Sequence, residues 1–343
     1  MAFLRFLLVT VPRRLVFALP ALFGVLALTF VLMRVLPGDP ASLFAASPSA
    51  GAEDIETIRA RLGLDRPIAE QFALYLGDLA RGDLGRSMTT GQPVAADLLE
   101  RLPASLELVL SALVLALVVA LPLGIAAALG PGTAVDHLAR LIGTLGVAIP
   151  TFVSGLLFIY VFYYLLGWAP DPTGRIDIFL VPPPRVTGFL MVDSLLAGDP
   201  AAFRAAFAQL VLPALTLALF VIAPLSRITR ASMLSVLSSD YVRAAESVAL
   251  GRARIVIVYG LRNALLPVLT VSGTVVSAML GASVLVEKVF AWPGVASYSV
   301  DALMAGDFAP VQGFVLLMAA VYVLVNLAID VLYRLADPRV SLA

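Results

Sequence analysis

Six long apolar stretches alternate with segments crowded with charge and set the rhythm of the chain. A helix crossing the hydrocarbon layer needs roughly 20 predominantly apolar residues. The runs at about 15–36, 104–129, 139–166, 208–226, 264–286 and 310–333 meet that length. Charge is nearly absent from them, because lipid penalises a buried charge and requires each backbone polar group to be satisfied within the protein. The pattern predicts an all-α integral membrane protein with six transmembrane helices. Pro122, Pro150 and Pro224 fall inside apolar runs and are expected to kink them. The first run follows Arg5, Arg13 and Arg14, but its apolar stretch from Leu15 to Met33 outlasts a signal-peptide core and no small-x-small cleavage site follows. An uncleaved anchor is expected.

Composition agrees: 61% of the 343 residues are hydrophobic and mean hydropathy is +1.00, against about 45–50% apolar in soluble domains. Basic residues near span ends set orientation. With the N-terminus in the cytoplasm, Arg5, Arg13, Arg14, Arg140, Arg227, Arg230, Arg243, Arg252, Arg254, Arg262, Arg334 and Arg339 all lie inside, on short segments. Both termini are therefore expected in the cytoplasm. The first external segment, 37–103, is long. It is expected to carry short helices near Glu53–Leu62 and Pro67–Leu79, and its Gly63, Pro67, Gly82, Gly85, Gly91 and Pro93 fit a compact fold. External segments 167–207 and 287–309 follow, with Pro182-Pro183-Pro184 in one and Trp292-Pro293-Gly294 in the other.

Several functions are excluded or disfavoured by what the chain contains. It has no Cys, which removes disulfides and thiolate metal sites. Its single histidine, His137, reads as a solvated loop residue, and no catalytic or metal-binding set assembles from the acidic residues. A net charge of zero gives no pull toward nucleic acid. There is no Gly-x-x-x-x-Gly-Lys-Ser/Thr run and the sole lysine is Lys288, so ATP would have to be handled by another protein.

The inside connection Arg227–Asn263 is unlike a passive linker. Over Asp240–Gly251, Val242, Ala245 and Ala249 recur at helical spacing beside Arg243 and Glu246. Gly251 is placed to cap that helix at its C-terminus, and a second helix rises through Asn263–Pro267 into the fifth span. Pattern alone leaves two readings open: a helix docking by its small residues into a partner's groove, or one lying on lipid headgroups.

The loop resembles the cytoplasmic coupling loop of ABC importer membrane subunits of the dipeptide/oligopeptide/nickel permease family. Tyr241, Val242, Arg243 and Ala245 match the family's opening, and Leu261–Pro267 its Leu-Arg-Asn-Ala-Leu-Leu-Pro close. Similar agreement runs through Leu36-Pro37-Gly38-Asp39-Pro40, Leu62-Gly63-Leu64-Asp65-Arg66-Pro67, Arg81–Ser87, Arg101–Glu107, Ile149-Pro150-Thr151-Phe152, Val289–Gly294 and Ala336-Asp337-Pro338-Arg339. The stretches Pro184–Phe189 and Asp193–Leu196 are similar to the dipeptide-type branch. One departure stands out. Where the family usually has Ala-Lys-Gly, this chain has Ser247-Val248-Ala249, and Glu246 occupies a place often basic.

The resemblance implies a type I ABC importer transmembrane fold in a bacterial inner membrane, with 1–103 as first helix plus folded external segment and 104–343 as a five-helix core carrying the coupling loop 227–263. It implies a pore shared with a second permease subunit, a relative rather than a copy. It also implies two ATP-binding subunits that hold ATP and Mg, and an external binding protein that supplies dipeptides or short oligopeptides; related subunits carry nickel, glutathione or oligosaccharide. The ATPase-coupling residues would be Asp240, Tyr241, Val242, Arg243, Ala244, Ala245, Glu246, Ala249, Leu250, Gly251 and Arg252. In the fifth span, Gly273, Ser277 and Gly281, four apart, could form a close subunit interface, and Thr270, Ser272, Thr274 and Ser283 could touch a peptide in transit. Packing within the chain and hydroxyl bonds to the helix's own carbonyls remain the alternatives for these seven. A secondary transporter acting alone would show inverted repeats or midplane charges, and neither is found.

Overall fold

The computed structural model describes residues 2–35 and 65–336. The expected helix at Glu53–Leu62 and the motifs at 36–40, 62–64 and 337–339 lie outside them. The described residues are helical except for connections and one antiparallel bridge, Arg86 with Pro93. In order the helices are α1 Ala2–Val35, α2 Ile68–Ala80, α3 Val94–Leu129, α4 Ala134–Ala148, α5 Thr151–Leu165, α6 Leu190–Leu196, α7 Pro200–Leu237, α8 Asp240–Ser247, α9 Arg252–Val289, α10 Val295–Met304 and α11 Phe308–Ala336. Helix α2 answers the expectation at Pro67–Leu79.

Five helices (α1, α3, α7, α9 and α11) are long and apolar enough to cross a membrane. The expected third span is different: α4 and α5 meet at 104°. Pro150 explains the break. It has no N–H to continue a helix, and it drives the preceding residue out of the helical region; Ile149 is extended, with φ −95° and ψ 125°. The other two prolines flagged above, Pro122 and Pro224, sit within the uninterrupted helices α3 and α7. His137 is exposed on α4 rather than in a loop.

The chain divides into two compact units. The first comprises residues up to Pro103 with Pro293–Leu324. In it α2 packs on α1 through Phe30, Phe72 and Tyr75, with ring centroids 5.0 Å (Phe30–Phe72) and 5.6 Å (Phe30–Tyr75) apart. Arg34 Nε donates to Gln71 Oε1 at 2.6 Å. Val94, Leu98, Val295 and Tyr298 form a small core where α10 meets the start of α3. At its polar edge Tyr298 Oη donates to Asp97 Oδ2 at 2.8 Å, and Ser87 Oγ to Asp307 Oδ2 at 2.8 Å. Burial, helped by the Asp97 carboxylate, pushes the Tyr298 phenol up to about 12.

The second unit, Ala104–Trp292 with the chain from Val325, is organised around α7, the most buried of the long helices. Asp199 starts it: its carboxylate accepts from the amides of Ala201 and Ala202 at 2.9 Å, and Pro200 follows at a position that has no use for an N–H. Helices α4, α5, α6 and α9 pack against α7. Glycines set the spacing. A Cβ on Gly146 would lie 2.5 Å from the Leu219 carbonyl oxygen, and one on Gly124 would lie 2.7 Å from that of Ser226.

Candidate functional site

Helix α8 is the shortest element whose exposed face is strongly polar, and its position follows from local sequence. Helix α7 ends at Leu237. Ser238 and Ser239 turn the chain, with Ser239 extended at φ −75° and ψ 155°, and Asp240 opens α8 where a negative charge suits the helix dipole. Arg243 reaches back to the Ser238 carbonyl at 3.2 Å and to Asp240 at 3.4 Å.

The apolar stripe does not face outward. Val242 and Ala245 are buried against Ile255, with Leu237, Leu250 and Tyr259 around them. Ala249 lies beyond the helix. The surface α8 presents is instead Tyr241, Arg243, Ala244, Glu246 and Ser247, with Val248 just after it. Close docking by the small-residue stripe is therefore replaced by internal packing that fixes α8 on the first turns of α9.

Gly251 is not the cap. The helix closes at Ser247 with two bonds that together satisfy its last carbonyls: Ala249 N–H to Glu246 O at 2.9 Å, and Leu250 N–H to Ala245 O at 3.3 Å. This is the Schellman arrangement, in which the residue after the cap is left-handed and usually glycine. Here that residue is Ala249, at φ 57°. Gly251 instead stands before α9, extended at φ −60° and ψ 138°, and Arg252 is the first residue of α9. Sequence reasoning overlooked that the capping glycine's place is taken by an alanine; the signal was Ala249 standing where the family has glycine.

Helix α9 runs from Arg252 to Val289, widening to a π-helix over Ile255–Leu261 before returning to α-helix at Arg262. Near this widening it packs on α7 and α3 through Ala128, Met233 and Ala264, and Gly260 admits the Met233 methyl, which would stand 3.0 Å from a Cβ there. A cavity of about 400 Å³ opens beside α8, lined in part by Leu237, Glu246, Leu250, Arg252 and Ile255.

The seven residues singled out in the fifth span separate into three sets. Gly273 faces inward, where a Cβ would lie 2.6 Å from the Ile329 Cδ1 of α11, and Ser283 is buried. Thr270, Thr274 and Gly281 are exposed, and with Asn263, Pro267, Ala278 and Leu285 they form one uncovered stripe along α9. Ser272 and Ser277 flank it. Thr270, Ser272, Ser277 and Ser283 donate to carbonyls of their own helix at 2.8–3.2 Å.

At the far end of α9 a network ties three connections together. Ser105 Oγ donates to Glu287 Oε1 at 2.6 Å, and Trp292 Nε1 to the Ala104 carbonyl at 2.9 Å. Arg175 pairs with Glu107, donates to the Gly188 carbonyl at 2.9 Å and lies over the Trp292 ring. Glu107 also accepts from the Met191 amide at 2.8 Å. Nearby, Asp193 is buried, which opposes ionisation. Bonds from the Thr187 hydroxyl and the Thr187 and Gly188 amides outweigh that and hold its carboxyl below the usual range. Arg175 was not singled out from the sequence; a lone arginine between Asp171 and Asp177 was the available signal.

Among the described residues, several helices of membrane length and a short helix fixed to the root of one of them describe a multi-pass membrane protein. The chain belongs to the family of binding-protein-dependent transport system inner membrane components, whose model matches residues 120–342, while the N-terminal model of the same systems matches 3–109. It is 41% identical to the di/tripeptide transport system permease protein of Pseudomonas aeruginosa, over 96% of this chain and 98% of the relative. It is 44% identical to a probable D,D-dipeptide transport system permease protein of Escherichia coli, over 93% of each. A glutathione transport system permease protein of Escherichia coli is 36% identical over 96% of this chain and 98% of its own length.

Proposed function

We propose that this chain is one half of the translocation pore of an inner-membrane ABC importer for dipeptides or short oligopeptides, driven by partner ATPases through α8. Both termini would be cytoplasmic, the second half of the pore would be a relative, and an external binding protein would deliver the substrate. The uncovered stripe of α9 is the surface that would line the path or meet the second half. The observation that carries the reading is mechanical. Val242, Ala245 and Ile255 lock α8 to the root of α9, so a push on the exposed face of α8 is delivered to a helix of membrane length. Alternating access then needs only rigid-body motion of packed elements.

The peptide substrate rests on the relatives at 41% and 44% identity; the glutathione relative keeps that tripeptide as the second candidate. The test is ATP-driven dipeptide uptake into proteoliposomes holding the chain with its partner subunits. Reversing the exposed charges of α8 (Arg243→Glu with Glu246→Arg) is expected to reduce uptake to background at unchanged protein level. Wild-type uptake by that variant would refute the coupling role, and uptake without nucleotide would refute the importer reading. Excess glutathione outcompeting dipeptide would reassign the substrate.

A further inference from the structure

A second polar feature lies in a groove between α4 and α7, a cavity of about 370 Å³ lined in part by Arg140, Thr144, Ser226, Arg227 and Arg230. Three guanidinium groups share it with one carboxylate. Asp136, only 1% exposed, accepts from Arg230 Nε at 2.8 Å and Nη2 at 3.1 Å, from Arg140 Nη2 at 3.2 Å and from the Gly132 amide at 3.0 Å. Its lone pairs are thereby committed. Arg227 is exposed and has no ion-pair partner among the described residues. The groove therefore carries two positive charges in excess. Beside it on α4, a short rotation from Arg140 and Thr144, Leu138, Leu141 and Leu145 form an exposed apolar strip at 47–55% exposure.

We propose that this groove binds the phosphate of an anionic phospholipid, with Arg227 as the free donor and Arg140 and Arg230 held beside it by Asp136. Arginine matches phosphate geometry through its forked donors, and basic pockets between membrane helices take anionic headgroups. The leucine strip decides between phosphate sources and between partner classes. An acyl chain extends from a lipid phosphate onto an adjoining apolar surface, whereas neither a free phosphate ion nor an acidic side chain has a use for one.

The experiment is native mass spectrometry of the full-length chain, delipidated in mild detergent and titrated separately with phosphatidylglycerol, phosphatidylcholine and inorganic phosphate. Wild type is expected to bind one phosphatidylglycerol well ahead of phosphatidylcholine. Each arginine near an anionic surface contributes about a fivefold change in affinity. Arg227→Gln is therefore expected to weaken phosphatidylglycerol about fivefold, Arg140→Gln with Arg227→Gln about thirtyfold, and Arg227→Lys much less. Thermal unfolding of each variant checks the fold, and Arg227→Gln alone carries the test if the double variant does not fold. Equal binding of both lipids by wild type, or undiminished phosphatidylglycerol affinity in a folded variant, overturns the proposal. Inorganic phosphate binding as tightly as the lipid assigns the groove to the free ion instead. Loss of a co-purifying protein from the variants with lipid binding unaltered assigns it to an acidic protein partner; both results overturn the lipid reading.

Discussion

Ala249 offers the sharpest test of how α8 is closed. Its φ of 57° places a Cβ in the left-handed region, where a non-glycine residue costs about 1–2 kcal/mol because Cβ crowds the following carbonyl oxygen. Ala249→Gly removes that clash. The opposing term is the wider conformational freedom glycine brings to the unfolded chain, about 0.4–1 kcal/mol. Ala249 is exposed, so no buried contact is lost with its methyl. The balance is a local gain of roughly 0.5–1 kcal/mol, or about a two- to fivefold rise in protection. Ala244 provides the internal control, since it is exposed in the body of the same helix; there the identical change should destabilise by about 1 kcal/mol. Hydrogen exchange over 240–251 in the purified full-length chain reads both. If Ala249→Gly exchanges as fast as wild type or faster, the left-handed cap is not what ends α8.

Four further outcomes follow from the packing and the hydrogen bonds. Gly146→Ala and Gly124→Ala, which would set a Cβ 2.5 Å and 2.7 Å from backbone oxygens, should each cost about 1–3 kcal/mol in thermal unfolding. Gly281→Ala, with open space around it, should instead gain up to about 1 kcal/mol. Trp292→Phe removes the buried donor to the Ala104 carbonyl and should lower stability by about 2 kcal/mol, with little change for Trp168, which is exposed. Asp193 is held below its ordinary value of 3.8, so its contribution is fully present above that pH and is lost as pH falls through the lower native value. Exchange protection at Thr187 and Gly188 should accordingly fall only in strong acid, and Asp193→Asn should abolish that pH dependence.

Most helices were legible because their signal is one-dimensional. Twenty apolar residues without charge mark a span wherever it packs, and Pro67 announces α2. How the elements bend, pack and end depended on three-dimensional closure. The run at 139–166 has the composition of one span, yet Pro150 divides it, and whether a proline kinks a helix or breaks it is decided by its neighbours: Pro224 is carried inside α7 without interruption. The stripe Val242, Ala245, Ala249 was correctly periodic, but periodicity names a buried face and not what buries it. Here the answer is Ile255, ten residues on from Ala245 and invisible to a window centred on α8. Gly251 was chosen as cap for its residue type, while hydrogen bonds placed the cap two residues earlier.

That inward turn of the stripe changes what a partner would have to recognise. With Val242 and Ala245 consumed in fixing α8 to α9, a docking protein meets Tyr241, Arg243, Glu246 and, beyond the helix end, Val248 at 69% exposure. Val248 stands where the family resemblance places a lysine, and Glu246 where it often places a basic residue. A surface recognised through that lysine would present acid to it, and acid opposite an apolar side chain is desolvated without compensation. On the proposed reading, the ATPase cognate to this chain would therefore carry an apolar contact opposite Val248 and a basic one opposite Glu246. Specificity between paired subunits would then reside in these two positions, while the Val242–Ile255 joint would supply transmission for any partner that fits.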